Sequence, residues 1–340
     1  IAETSPAHLR GRMGSLQQLA IVTGIFAALL SNYMIVAVAG SAENVFLGGF
    51  KAWQWMFWIE AIPASLYGIF ALLIPESPRY LVGHHRLEEA SRVLEKLIAT
   101  DIPRKIQDIR DTLVNETPAR LAELWENAAT GARRLRPIVW AGLGLAVLQQ
   151  FVGINVIFYY GSALWRSVGF SESDALLLNV VSSIVNIATT LVAIASVDKF
   201  GRKPLLLIGS VGMFATLATM AVVFATAPVV AGQPSLTGLA AYAGLGAANL
   251  YIVFFGMSWG PVMWVMLGEM FNNRIRGSAL AVAGLAQWMA NFLVSTTFPP
   301  LATGIGLGGA YGLYAFFAFA SIVFVVKVVQ ETKGKELEEM

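Results

Sequence analysis

Eight stretches of this 340-residue chain are long and apolar enough to cross a bilayer, and that fact limits what it can fold into more than any other. They run at about 13–39, 53–74, 137–165, 175–197, 204–227, 239–268, 277–299 and 307–326. Hydrocarbon offers the backbone no hydrogen-bond partner, so segments of this length must pair their own N–H and C=O groups as helices. The composition agrees, with 56% hydrophobic residues, 13% charged residues and a mean hydropathy of +0.66, a balance that soluble domains do not match. The expected class is an all-α membrane protein. Between two of the spans, APVVAGQPSLT at 228–238 carries Pro228, Gly232 and Pro234 and reads as a loop.

Orientation follows from the basic residues, because short loops rich in Lys and Arg stay on the cytoplasmic side. With residues 1–12 inside, 21 of the 23 Lys and Arg lie inside, and only Lys51 and Arg166 fall in outer loops. Both ends of the chain are then cytoplasmic, as expected for a multi-pass protein of the cell (inner) membrane. The net charge of +2 therefore reports topology and gives no sign of a nucleic-acid partner. The chain has no Cys, and two of its three His, His84 and His85, are adjacent in a cytosolic turn, so neither a metal site nor a cofactor is expected.

The one long polar stretch separates the second span from the third. Within it Leu87, Ala90, Val93, Leu94 and Leu97 recur at helical spacing opposite Glu88, Glu89, Arg92 and Lys96, and Ile106, Ile109 and Leu113 repeat the pattern more weakly. A cytosolic helical linker between two membrane bundles fits this, with a solvated linker as the alternative. The expected units are 1–76 (two helices of a first bundle), 77–136 (linker), 137–328 (a six-helix second bundle) and 329–340 (cytosolic tail).

Internal repetition relates the two bundles. Glu3, six residues, Arg10 and Gly11 recur as Glu269, six residues, Arg276 and Gly277, each copy at the cytoplasmic start of a span. Each is closed two spans later by an acidic cluster, PESPRYL at 75–81 and QETKGKEL at 330–337. Two halves related by an axis along the membrane normal produce such a pattern. Four spans precede the second copy and only two residues precede the first. The expectation is an N-terminally truncated chain, short of four helices and on the order of 130 residues if the repeat is faithful.

One segment inside a span is polar beyond what packing requires. QQFVGINVIFYY at 149–160 carries Gln149, Gln150 and Asn155 around Gly153. On an unbroken helix at about 100° per residue, Gln150 and Asn155 lie about 140° apart and cannot converge on one ligand. Gly153 can supply a break, and broken helices near the midplane are where transporters place substrate sites. Beyond the break Asn155 and Tyr159 share a face. Carboxamides both donate and accept hydrogen bonds without charge, which suits a ligand rimmed with hydroxyls.

Other spans carry similar groups. Asn179, Ser183, Asn186 and Thr190 stripe one face, Gln287 and Asn291 stand one turn apart, and Pro261 predicts a hinge within 239–268. Ser182, Ser183, Thr189 and Thr190 also suit helix-to-helix hydrogen bonding, and Trp53, Trp55 and Trp58 near an outer boundary suit an aromatic belt.

The motifs ETSPAHLRGR at 3–12, PESPRYL, QQFVGINVIFYY, DKFGRK at 198–203, GEMFNNRIRG at 268–277 and QETKG at 330–334 occur together and in order. As a set they resemble the sugar porters of the major facilitator superfamily, twelve-helix transporters built from two six-helix bundles. Gln330 departs from the family motif, which usually has Pro there. The resemblance implies that the chain holds helices 5 to 12. It implies a sugar site formed by Gln18, Gln149, Gln150, Asn155, Asn186, Trp264, Gln287, Trp288 and Asn291. It also implies a cytoplasmic gate of ion pairs linking the bundles, with Glu3, Arg10, Glu76 and Arg79 on one side. On the other stand Asp198, Arg202, Lys203, Glu269, Arg276 and Glu331. Glu60 is the one acid well inside a span and the candidate for proton coupling, a structural acid near the outer interface being the alternative.

The expected function is transmembrane transport of a monosaccharide, hexose or pentose, by alternating access, either facilitative or proton-coupled, in a monomer embedded in lipid. The position of Ile25, two turns from Gln18, leaves that face less polar and hints at hexose. A transport-dead sugar sensor with the same fold is the alternative. No nucleophile with a base, metal cluster or phosphate loop points to an enzyme.

Overall fold

A computed structural model describes residues 10–97, 101–114, 121–127, 133–167, 169–230 and 233–333. Among them eight helical spans have membrane-crossing length: Leu16–Ala39, Ala52–Leu73, Pro137–Tyr159, Glu172–Phe200, Arg202–Ala225, Gly238–Met270, Arg274–Gly304 and Gly306–Lys327. Their number and order match the sequence expectation.

The first span is the helix α1 (Arg10–Ala39). The second is interrupted at Ile59 and Glu60, which divide it into α2 (Ala52–Trp58) and α3 (Ala61–Leu73). No residue of α3 is buried. The tryptophans pack around the loop between α1 and α2, where Trp55 Nε1 donates to the Leu47 carbonyl at 3.0 Å and the Trp55 and Trp58 rings meet edge-on at 5.3 Å. Glu172 closes the same end, its carboxylate accepting from Ser41 Oγ at 3.0 Å and from the Ala42 amide at 3.4 Å.

In the polar stretch α4 (Pro78–Gly83) starts on Ser77, whose hydroxyl accepts from the Tyr80 amide, with Pro78 at the first helical position where no amide hydrogen is needed. It is followed by α5 (Leu87–Leu97) and α6 (Ile102–Val114). The predicted apolar faces meet: Leu81, Val82 and Ala90 are buried, with Leu87, Val93, Ile106 and Ile109 packed against them. The stretch is thus a small helical unit with its own core. Beyond α6 the chain makes a 3-10 turn at Leu121–Leu124 and a short antiparallel ladder of Trp125–Asn127 with Arg133–Leu135, which periodicity had not indicated. Arg274 Nε donates to Glu123 at 3.0 Å and ties this turn to the second bundle.

The second bundle contains the main core. Its first span, the third of the chain, is broken into α7 (Pro137–Phe151) and α8 (Ile154–Tyr159), followed by the short α9 (Gly161–Ser167). Then come α10 (Glu172–Phe200), α11 (Arg202–Ala225), a second broken span α12 (Gly238–Gly256) and α13 (Trp259–Met270), and finally α14 (Asn273–Gly304) and α15 (Gly306–Lys327). α11 packs along α15 and α12, α7 along α14, and α1 lies against α10 and α13. The start of α14 is capped by Asn272, whose Oδ1 accepts from the Ile275 amide at 3.2 Å.

Both breaks have a local cause. Gly153 holds φ +85°, a left-handed conformation that glycine adopts without steric cost, and the helix restarts one residue later. The second break falls at Met257 and Ser258, with Pro261 already in the first turn of α13. The hinge predicted at Pro261 thus lies a turn earlier, because proline withholds its hydrogen bond from the carbonyl four residues before it.

If the basic-residue count sets the orientation, cysteines introduced singly at the exposed Glu43 and Lys105 should label from opposite sides, 43 from outside and 105 from inside. Labelling of both from the same side of sealed cells would break the topology.

Candidate functional site

The break at Gly153 brings together amides that a straight helix would hold apart. Asn155 Nδ2 donates to Gln150 Oε1 at 2.7 Å, and Gln150 Nε2 donates to Gln149 Oε1 at 3.1 Å. From α14, Gln287 Nε2 donates to the same Gln149 oxygen at 2.8 Å. Gln149 Nε2 in turn donates to the Trp259 carbonyl at 3.3 Å. Four amide side chains from three helices, α7, α8 and α14, thus form one ladder fastened to the start of α13.

Two buried amide oxygens are unused, one of them on the ladder itself. Among the described residues, Gln287 Oε1 and Asn186 Oδ1 are buried without a hydrogen-bond partner. A buried acceptor left unpaired costs about 1–3 kcal/mol, and a ligand hydroxyl would remove that cost. Asn186 abuts Gly256 at the end of α12, since a Cβ on that glycine would lie 2.9 Å from its Oδ1. Gln18 reaches from α1 to the start of α13, with its Nε2 3.4 Å from where a Cβ on Gly260 would stand. Asn291 is buried and accepts from Ser295 Oγ at 3.0 Å, and Trp264 is half-buried against the core.

Trp288 stands apart from the ladder. It is 65% exposed, while Gln287 is buried, because consecutive helical residues point about 100° apart. Tyr159 is also exposed, although Asn155 is half-buried one turn before it. Of the hydroxyls considered for helix-to-helix bonding, Ser182 Oγ reaches Asn249 Oδ1 on α12 at 3.2 Å, whereas Ser183 and Thr189 bond back to carbonyls of their own helix.

Sequence reasoning assigned no role to Trp259 or Tyr251, and the structure gives both one. The Trp259 indole donates to the Leu206 carbonyl at 3.1 Å and to Ser210 Oγ at 2.9 Å, which fixes the residue whose carbonyl holds Gln149. Tyr251 donates to the Val152 carbonyl at 2.8 Å, directly at the first break. Nothing in residue spacing signals a bond to a carbonyl freed by a break.

Where α10 meets α11, at the far end of α13, a second group forms. Arg202 Nη2 and Nε donate to the two Glu269 oxygens at 2.7 and 3.0 Å, a bidentate pair, and Nη2 also reaches Asp198 at 3.0 Å. Glu331 accepts from the backbone amides of Arg202, Lys203, Thr332 and Lys333 at 2.9–3.0 Å. The turn has room for that carboxylate only because Gly201, at φ +89°, has no Cβ, which would lie 2.8 Å from Glu331 Oε2. Thr332 Oγ1 closes the group onto Glu269 at 2.7 Å. Asp198, Arg202, Glu269 and Glu331 are therefore brought together within the second bundle, while the Arg276 guanidinium donates to the Phe271 carbonyl. Glu76 is exposed between α3 and α4, and Arg79 lies on α4. Glu3 and the Arg10 side chain lie outside the described residues. Glu60 is exposed at the break between α2 and α3. Among the described residues no group of His, Asp or Glu could hold a metal ion.

Comparison with known proteins identifies this architecture. Residues 1–340 match the family model described as sugar (and other) transporter. The chain belongs to that family. It is 60% identical over 341 residues to the glucose transport protein of Synechocystis sp., covering all of this chain and 72% of that protein. It is 37% identical over 351 residues to the D-xylose-proton symporter of Escherichia coli K12, covering 66% of that protein. The solved structure of the major facilitator superfamily proton:xylose symporter XylE bound to 6-bromo-6-deoxy-D-glucose superposes with a TM-score of 0.78 at 36% identity, over 99% of this chain and 68% of that one. The inward-open conformation of XylE superposes at 0.75 over 100% of this chain and 66% of that one. The fold is thus the all-helical major facilitator fold, and the relatives are transporters and not enzymes.

Burial raises the proton affinity of Glu331, but its four amide hydrogen bonds outweigh this and hold the carboxyl below its ordinary value. The ionised form therefore stabilises the turn at neutral pH, and that contribution is lost as pH falls through the depressed folded value. Thermal unfolding in detergent over a pH series should show wild type losing stability on acidification. E331Q should start less stable at neutral pH and change less.

Proposed function

We propose that this chain moves a monosaccharide across the bilayer by alternating access, with a hexose of the glucose type as first substrate. The amide ladder carries the reading. In a membrane interior, four carboxamides that mostly bond one another, with two acceptors left over, suit a neutral ligand rimmed with O–H donors. Family membership and the glucose transport protein at 60% identity support sugar as the class and hexose within it.

On this reading Gln149, Gln150, Asn155 and Gln287 hold the sugar hydroxyls, with Gln18, Asn186 and Asn291 around them and Trp264 against its apolar face. Trp288 joins them only if its exposed ring faces the translocation path. The eight spans correspond to helices 5 to 12 of a twelve-helix transporter, which the coverage of 72% and 66% of two relatives supports. The protein sits in the cell membrane with cytoplasmic basic loops and works as a monomer. Proton coupling is supported by the D-xylose-proton symporter at 37% identity, and on this reading Glu60 is the candidate carboxylate for it.

In the whole transporter, Gln150→Ala and Asn155→Ala should each weaken glucose binding by more than about tenfold, equivalent to about 1.4 kcal/mol, with normal membrane insertion. Unchanged affinity in both variants would remove these residues from the site.

The charged group at Arg202 serves the cytoplasmic gate by holding the ends of α10, α11 and α13 as one body. Glu269→Gln should leave Arg202 short of a partner, lower net transport and preserve sugar binding, because none of these side chains belongs to the ladder. Spin-label distances between the cytoplasmic faces of the two bundles should lengthen. Loss of binding with unchanged distances would instead make Glu269 a support of the site.

A further inference from the structure

The first helix break is surrounded by more hydroxyl donors than it uses. In a continuous helix the Val152 carbonyl would accept the amide of Val156; here that amide turns to Gly153 at 3.1 Å, and the Tyr251 hydroxyl takes Val152 at 2.8 Å instead. From α15 the Tyr314 ring lies against Gly153 so closely that a Cβ there would come within 2.9 Å of its Cγ. Tyr311 sits one helical turn before Tyr314, with ring centroids 6.4 Å apart, and stacks on Phe224. Among the described residues the hydroxyls of Tyr311 and Tyr314 are buried and have no hydrogen-bond partner.

An unpaired phenol in a dry interior destabilises the conformation in which it is unpaired, while phenylalanine of the same shape does not. A pair of them behind a hinge therefore biases the hinge toward any arrangement that gives them acceptors. The Tyr314 ring lies against Gly153, so the backbone carbonyls of the break are the acceptors that a displacement of α8 would carry past these hydroxyls. We propose that Tyr251, Tyr311 and Tyr314 are positioning residues for the break at Gly153: Tyr251 holds the Val152 carbonyl in the conformation described here, and Tyr311 and Tyr314 take up carbonyls of the break when α8 swings. Because Gln149, Gln150 and Asn155 flank that break, the exchange sets how far the amide ladder stays assembled through the cycle. Its consequence for turnover rests on the transport reading; the exchange itself does not.

The discriminating feature is opposite signs. Tyr251→Phe strands the Val152 carbonyl in this conformation and should lower thermal stability and depopulate it. The double variant Tyr311→Phe/Tyr314→Phe removes two unpaired hydroxyls from this conformation, so stability should hold or rise and this conformation should gain population. The chain has no cysteine, so spin labels at Ala163 on α9 and Leu239 at the start of α12, both exposed, report the position of the α8 end in the full-length protein. The ratio of the two distance populations should change about fivefold in each variant and in opposite directions, roughly one hydrogen bond's worth. In reconstituted vesicles the double variant should lower the maximal rate of glucose uptake more than it changes KM.

If the double variant loses stability as Tyr251→Phe does, or shifts the distances the same way or not at all, the hydroxyls are structural, for example bridged by buried water, and the inference is wrong. Should Tyr251→Phe fail to fold, the double variant decides alone. Absence of glucose uptake in wild type, with the distances responding as stated, would overturn the transport reading and leave this one standing.

Discussion

Every polar group that enters hydrocarbon must find its partner inside the protein, and the second bundle is organised around the two places where the backbone stops supplying its own. At Gly153 the ladder fails for Val152, and a tyrosine of α12 replaces the lost bond. At Met257 and Ser258 the ladder fails again, and just beyond it Trp259 receives Gln149 from α7 on its carbonyl. The two broken spans therefore support each other: α12 satisfies the break next to α7, and α7 reaches the break next to α12. Ser321 on α15 donates to Ser210 at 2.8 Å, which itself accepts the Trp259 indole, so the support continues to the back of the bundle. Neither break could persist alone in lipid at tolerable cost.

The charged group at Arg202 obeys a softer form of the same constraint, because part of it is exposed. Exposed ion pairs such as Arg86 with Glu89 at 2.7 Å contribute little. The pair of Arg202 with Glu269 differs, since the arginine is buried, bound bidentately and fixed through Asp198 and the Val197 carbonyl as well. Removing Glu269 would leave the buried cation with Asp198 as its remaining carboxylate partner among the described residues, and the lost bidentate pair is costly there. Glu331 contributes through backbone amides at the start of α11, where the positive end of the helix dipole also favours a carboxylate. The result is a set of contacts that ties the ends of α10, α11 and α13 together.

What could be read from sequence follows from which properties are local in the chain. The eight spans were legible because hydrophobic length is a one-dimensional quantity, and the break at Gly153 because Gln150 and Asn155 make sense only if the helix turns there. The apolar faces of α5 and α6 were legible for the same reason of periodicity. Pro261 announced a break but not its position, since proline acts on a carbonyl one turn away. The ladder at Trp125–Asn127 is too short to show a period. Partner choice was not legible at all. Charge alone cannot tell that Glu269 pairs with Arg202 inside its own bundle, or that Glu331 serves four backbone amides. Nor can it reveal that Trp259 and Tyr251 act on carbonyls, because the acceptor is a backbone atom present at every position.

The internal bonding of the amide ladder bears on how tightly such a site can hold its ligand. Asn155, Gln150, Gln149 and Gln287 are already hydrogen-bonded to one another, so on the proposed reading a sugar hydroxyl would have to displace an amide contact as well as lose its own water. The exchange of bonds nets far less than the gross count suggests, about 0.5–1.5 kcal/mol for each hydrogen bond at best. The unpaired oxygens of Gln287 and Asn186 are the exceptions, because filling them removes an existing penalty. A site built this way gains most of its affinity from a few acceptors and leaves the remaining amides able to close on themselves when the ligand leaves. For a protein that must bind on one side and release on the other, that balance favours turnover over retention, and it is achieved with neutral groups that need no charge moved through the membrane.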